Sequence, residues 1–480
     1  DTNPNQYELL RAIAGDHKNI TIVGDDDQAI YSWRGASIRF LFNFEDDFPG
    51  VHIVKLERNY RSTPQVLDFA NSLISKNTLR RYKAMWTEKG TGNPVYLLNT
   101  RSKEDEAEKT AEIIARLQQE DEYRELFPLA ILYRINSQSL MFETEFTKRG
   151  IDFKILKGLR FFERKEIKDS LALLKLALNP GDDISFLRVI DFLSVGIGPK
   201  TLETISKHAR EKNLPLLPAL KECLPEKYKD KKIFPALYDV HTRVGNPQPG
   251  QEKPLFSEIL TRLLKVSGYL EFLEEKGEEG RRMNIDELIE FIGKWETERP
   301  GETIGDLMDR ITLDADANSN KENEDHKSTC PVFLLTMHNA KGLEFPTVIT
   351  AGINATYLPF FMRKDRAEIE EERRLFYVAA TRAIKQLIVS VGGDKPSPFL
   401  SDVSRSLYAT IYSSDDLFPS KSFLPEHGIP GHAVEEKYLE HPIFGRGKII
   451  ATVAADKFIV HFDKKGEKTI DTSIVPVTFL

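Results

Sequence analysis

Short runs of apolar, β-branched residues recur along this chain, and helical patterns lie between many of them. Residues 20–23, 51–56, 95–98, Leu129–Tyr133, 332–337, 347–351 and 387–391 read as buried strands. In Lys103–Gln119, Ala107, Ala111, Ile114 and Leu117 fall on one helical face. Strands alternating with helices predict a mostly parallel α/β sheet.

The middle of the chain reads differently. Residues 169–178, 184–193, 200–211, 255–265 and 284–298 have helical spacing with few strands between them. Residues 246–254 form a Pro/Gly/Gln loop, and the polar, charged stretch 314–328 reads as a disordered linker. A helical domain therefore reads as inserted into an α/β domain that resumes near Cys330. Towards the end, residues 445–460 alternate apolar and polar, residues 462–466 read as a turn, and 469–480 are β-prone. These predict a small β-barrel, joined by the segment 394–436.

The 480 residues correspond to about three domains. Lys+Arg 67 against Asp+Glu 74 leaves −7, which speaks against a wholly basic nucleic-acid coat but allows a local basic groove. Cys223 and Cys330 lie far apart without ligand spacing, so no disulfide framework or cysteine zinc site is expected, and a reducing cytoplasm fits. No apolar run of about 18 residues and no signal peptide are seen, so no membrane partner is expected.

Four segments carry chemistry. In the first, Gly24, Asp25, Asp26, Asp27 and Gln28 follow a strand, with Trp33 and Arg34 close behind. Carboxylates and an amide at a strand's C-terminal end suit a ligand site in an α/β protein. The alternative is an acidic surface turn with one buried tryptophan. In the second, Ser62 or Thr63 caps a helix that begins at Pro64, which leaves Asn59, Tyr60 and Arg61 over for function. Arginine suits phosphate and tyrosine suits stacking; the alternative is a surface arginine paired with Glu57. The third supplies His338, Lys341, Gly342 and Glu344 between two strands, where glycine permits close backbone approach. In the fourth, Leu375, Val378 and Ala379 recur at helical spacing and Arg382 falls about two turns after Leu375. Arg373 and Arg374 read as a solvated face paired with Glu370 or Glu371.

Taken in order, GDDDQAIYSWRGA, LERNYRS, TMHNAKGLEF and EEERRLFYVAATRA resemble motifs three to six of the UvrD/Rep/PcrA-like superfamily 1 DNA helicases. Residues 161–169 resemble the motif that precedes that family's helical insertion. Gly196-Ile197-Gly198 resembles a duplex-contacting hairpin, though Val195 stands where the family often has arginine. Residues 441–480 resemble its Tudor-like tail.

The resemblance implies RecA-like P-loop NTPase motor domains, the first incomplete, with an inserted all-helical domain and a small Tudor-like barrel. Its boundaries are 1–50 for the remnant of the first motor domain, 51–170 and 329–398 for the second, 171–328 for the insertion, 399–436 for a linker and 437–480 for the barrel. It implies ATP and Mg²⁺ as cofactors, and single-stranded and duplex DNA as partners. RNA polymerase or a repair protein would dock on the barrel. Gln28, Arg61 and Arg382 are implied as catalytic groups at the γ-phosphate. Tyr60 is implied beside the adenine, Glu344 on the ribose and Gly342 in the nucleotide loop, with Trp33, Arg34 and His338 on DNA. Translocation would run 3′ to 5′.

No G-x-x-x-x-G-K-[ST] occurs; Gly196–Thr201 has the wrong spacing. The magnesium-binding acidic motif is absent too, and residues 1–6 resemble what directly follows it. The expectation is a chain that starts just after that motif and is inactive alone. Rivals are a DNA-binding regulatory or degenerate homologue without ATPase activity, a nuclease-fused relative and a protein-interaction scaffold. Retention of Gln28, Arg61 and Arg382 argues against the first, the missing carboxylate/lysine cluster against the second, and motifs three to six against the third.

Overall fold

Seven apolar stretches find neighbours and become one sheet. The strands are β1 (Val95–Thr100), β2 (Leu129–Tyr133), β3 (Phe153–Ile155), β4 (Val332–Thr336), β5 (Phe345–Thr350), β6 (Ala383–Gly392) and β7 (Tyr408–Ile411), in the order β3-β4-β2-β5-β6-β1-β7. Every pairing is parallel. The computed structural model describes residues 2–17, 19–193, 196–223, 232–245, 254–303, 305–307, 331–360, 363, 365–393, 395–417, 438–441, 445–454, 457–462, 466–471 and 478–479. It comprises two compact units, Asp1–Ser414 and Asp415–Leu480.

Central β2 is buried at all five positions, which explains its unbroken apolar sequence. Ala130 and Leu132 share a core with Val66, Phe69 and Leu73 of α3 (Pro64–Ile74) and with Leu375–Ala380 of the helix Arg366–Ala380. The helix Lys103–Gln119 packs on β1 and β6 through Ala107, Ala111 and Ile114, the face its periodicity predicts. Helix α3 starts at Pro64 as expected, but Thr63 makes no side-chain cap bond and its hydroxyl is buried without a partner. Ser62 turns instead to the Ala383 carbonyl at 2.6 Å. Tertiary packing has overridden the local cap.

Between β3 and β4 the chain builds eight helices among the described residues: Lys165–Leu178, Asp183–Phe192, Pro199–Lys212, Leu216–Cys223, Ile233–Gly245, Phe256–Ser267, Tyr269–Glu275 and Glu279–Glu298. They share a separate core that includes Leu174, Phe186, Leu217, Leu260, Leu263 and Leu288, all 0% exposed. The first begins at Lys165, four residues ahead of the predicted start, because Glu166 and Ile167 are buried too. The linker 314–328 and Val195 lie outside the described residues, as does the turn after Phe462 apart from its ends.

Two predicted strands do not form. Residues 20–23 and 51–56 join no ladder, with Val23 90% and Leu56 81% exposed. A strand needs a hydrogen-bonded neighbour, and neither segment has one here. The first fifty residues instead rest on two helices, α1 (Pro4–Ala14) and α2 (Arg39–Asp47), where Tyr7 stacks on Phe40 at 4.6 Å.

In the second unit, β8 (Tyr438–His441), β9 (Gly445–Ala454), β10 (Lys457–Phe462), β11 (Gly466–Asp471) and β12 (Thr478–Phe479) form an antiparallel sheet, ordered β11-β10-β9-β8-β12. The expected β-rich end is present. Among the described residues the outer strands β11 and β12 are not paired with one another.

Candidate nucleotide and nucleic-acid site

The acidic loop is a folded turn. Asp25 caps it, accepting from Asp27 N at 3.1 Å and from the Gln28 amide at 2.6 Å. Asp26 and Asp27 are buried. Arg80 grips Asp27 in bidentate fashion, at 2.9 and 2.7 Å. The Lys83 ammonium lies 2.8 Å from Asp25 and 3.2 Å from Asp27, and also meets Asp26. The acids are therefore inside and Trp33 is 57% exposed, the reverse of an acidic surface turn with a buried tryptophan.

Asn59 explains the next motif. Its side-chain oxygen accepts from Arg61 N and Ser62 N, each at 2.8 Å, and this turn aims Arg61 across the sheet's end. Arg61 Nε reaches Glu344 at 2.5 Å and Nη1 reaches the Thr381 carbonyl at 3.4 Å. Glu57 accepts from Ala84 N rather than from an arginine. Tyr60 is 74% exposed, with the Arg58 guanidinium 4.8 Å above its ring.

Arg382 follows the C-cap residue Thr381 rather than continuing the helix, and is 2% exposed. It donates to the carbonyls of Val378 (2.9 Å) and Leu343 (3.3 Å) and to Gln28 Oε1 (3.4 Å), and among the described residues no carboxylate pairs with it. Burial and then the neighbouring Arg61 charge bring its pKa down to about 10. The Arg61 hydrogen bond and charge hold Glu344 below the usual carboxylate range. Gly342 has φ of 85° with open space around it, so the turn itself requires glycine, not a close approach.

Arg382 alone reaches the Gln28 amide, while Arg61, paired with Glu344, stands close enough for its charge to act on Arg382, so an added anion would relieve the two guanidiniums. Gln28, Arg382, Arg61 and Glu344 are thus linked in one chain of contacts, while Tyr60 is exposed and contacts Arg58. Among the described residues the acidic turn does not fit a magnesium ion. Asp25, Asp26 and Asp27 have metal-like spacing, within 4.8 Å, but the Lys83 ammonium occupies their midst.

Trp33, Arg34 and His338 line one cavity of about 750 Å³. Arg34 stacks 4.5 Å over Trp33 and 5.0 Å over Tyr31. The Trp33 and His338 rings sit 6.5 Å apart, edge to face. Burial, then the charges of Arg134, Arg34 and Arg363, push His338 down to about 3, so its imidazole is neutral at pH 7. An exposed indole beside cations suits base stacking, which contributes about 1–3 kcal/mol per base without sequence preference.

One loop reaches both places. His338 stands in the cavity, the Lys341 ammonium donates to the Gln28 carbonyl at 2.9 Å, and Glu344 holds Arg61. Nothing local in the sequence marks what Arg80, Lys83 and Lys341 meet, so these contacts are not legible there. Arg373 and Arg374, expected on a solvated face, are packed instead. Arg374 is 5% exposed and donates to the Ala29 carbonyl at 2.9 Å, while Arg373 binds Asp402 and Asn77.

The UvrD-like helicase C-terminal domain model matches residues 54–392, and the UvrD/REP helicase N-terminal domain model matches residues 1–49. The ATP-dependent DNA helicase PcrA of Staphylococcus epidermidis is 34% identical over 425 residues, covering 85% of this chain and 57% of that protein. PcrA of Staphylococcus aureus is 34% identical over 427 residues, with the same coverage. The chain thus spans little more than half the length of these curated relatives. A family match over most of the sequence agrees with the arrangement of motifs around the sheet's end: the chain belongs to the UvrD-like helicases.

Proposed function

We propose that this chain is the larger part of an ATP-dependent DNA helicase or translocase. It moves 3′ to 5′ on single-stranded DNA and unwinds duplex during repair or replication in the cytoplasm. The observation that carries this reading is the loop of residues 338–344, which touches the aromatic cavity at one end and the Gln28–Arg61–Arg382 cluster at the other. Residues 1–50 are read as the end of a first RecA-like motor domain, and 51–170 with 329–398 as the second. The helices of 171–328 are read as an insertion that engages duplex. The antiparallel sheet within 437–480 is read as a Tudor-like barrel that docks RNA polymerase or a repair protein.

Bound nucleoside triphosphate supplies an anion whose charge and connectivity change on hydrolysis. Arg61 and Arg382 hold that anion, and Arg61 must exchange Glu344 for it. Gln28 lies against Arg382 and reports the exchange. Lys341 ties Gln28 to the loop, so movement on the nucleotide side carries His338 and shifts the strand against Trp33.

The 480 residues hold no P-loop, so the isolated chain is expected to release no phosphate from ATP with DNA present. Robust DNA-stimulated release by the purified chain would overturn this. In a chain extended N-terminally with the P-loop segment of a related helicase, Arg61→Ala should slow turnover by about 10³-fold or more. Turnover within about threefold of the parent would remove the arginine-finger role.

A further inference from the structure

Lys157 adopts φ of 57°, a conformation that residues with a Cβ rarely take. Two reciprocal bonds hold it there. Its ammonium donates to the Asn339 carbonyl at 3.1 Å, and the Asn339 amide donates to the Lys157 carbonyl at 3.2 Å. Asn339 is the residue after His338. Lys157 is exposed and lines the same cavity as Trp33, Arg34 and His338.

The other cations of that cavity are mostly spent. Arg134 is paired with Glu372, Arg363 with Glu368, and Arg281 with Glu278 and Glu166. Arg164 is buried and bonded to Asn136, Asn284 and Ser139. Among the described residues, Arg34, Lys157 and Lys165 line the cavity without a carboxylate partner, and Arg34 is stacked on Trp33. Of the two lysines, Lys157 is the one bonded to the loop that carries His338. An ammonium has three protons, and the Asn339 carbonyl takes one.

We propose that Lys157 binds a phosphodiester of the single strand whose bases lie against Trp33. This rests on the DNA-groove reading above. The contact is sequence-independent, and the left-handed backbone presents the amine to it. Glycine would suit that backbone better, so lysine there is explained by its side chain.

The test is binding of a fluorescent oligo-dT to the 480-residue chain across a salt series. Lys157→Gly keeps the turn and removes the amine. The slope of log K against log [salt] should then shrink in magnitude by about 0.7, the value for one phosphate contact on a single strand. Lys157→Arg should keep the parent slope. Lys157→Gly should melt at or above the parent temperature. An unchanged slope for Lys157→Gly overturns the proposal, and so does weaker binding with unchanged slope and a lower melting temperature. If Trp33→Ala weakens binding while Lys157→Gly keeps the slope, only the lysine assignment fails. If neither substitution alters binding, or the parent binds no oligo-dT, the groove reading fails with it.

Discussion

At the scale of single residues, surroundings decide chemistry that residue type leaves open. His338 is an ordinary histidine in sequence, yet burial and three arginines bring it down to about 3. An unfolded chain would protonate it near 6.5. As pH falls below about 6.5 the unfolded state takes up the proton first, so folding stability drops progressively towards about pH 3 and is fully present above about 6.5. His338→Asn should therefore lose less stability than the parent between about pH 7.5 and about pH 5, measured by urea unfolding at each pH. An equal loss in both would show that His338 is not held neutral by the fold. Arg382 makes the complementary case: its spacing suggested a place on the helix, but it falls just past the C-cap, and its burial against Gln28, from the other end of the chain, has no local signal.

At the scale of elements, the clasp between the acidic turn Asp26–Gln28 and residues 80–83 joins segments more than fifty positions apart. Asp27 is 1% exposed and Arg80 9%, so loss of the Asp27 charge leaves the Arg80 guanidinium without its bidentate carboxylate, while Lys83 keeps Asp25 and Asp26. Asp27→Asn should destabilise the fold by about 3–5 kcal/mol, whereas Asp27→Leu with Arg80→Met should cost less than the single change. Chemical unfolding midpoints of the three chains decide this, and a double variant as weak as the single would show that Arg80 is not what Asp27 chiefly holds. The elements themselves were largely legible. Periodicity gave Lys103–Gln119 and most helices between β3 and β4, and apolar runs gave β1, β2, β4, β5 and β6. Strands β3 and β7 escaped because three or four residues are too few to show a period. Residues 20–23 and 51–56 were misread because composition records what a segment could pair with, not whether a neighbour is there. The missing Thr63 cap has the same origin, since local chemistry cannot foresee the Ala383 carbonyl that takes Ser62.

At the scale of the whole molecule, motif order fixed the family, and the structure adds which motifs touch. Strands β3 and β4 are neighbours in the sheet although the eight helices lie between them in sequence. They run parallel, with Phe153 opposite Val332. That direction makes the helical block a cassette with a rule for its removal. A two-residue hairpin in its place would reverse β4 and break its ladders to both β2 and β3, because tight turns join only antiparallel strands. Any replacement must bring the chain back to the starting edge of the sheet, which takes a crossover of about a dozen residues or more. Nature or an engineer can lengthen, swap or delete the block at little topological cost, provided the splice respects that return path.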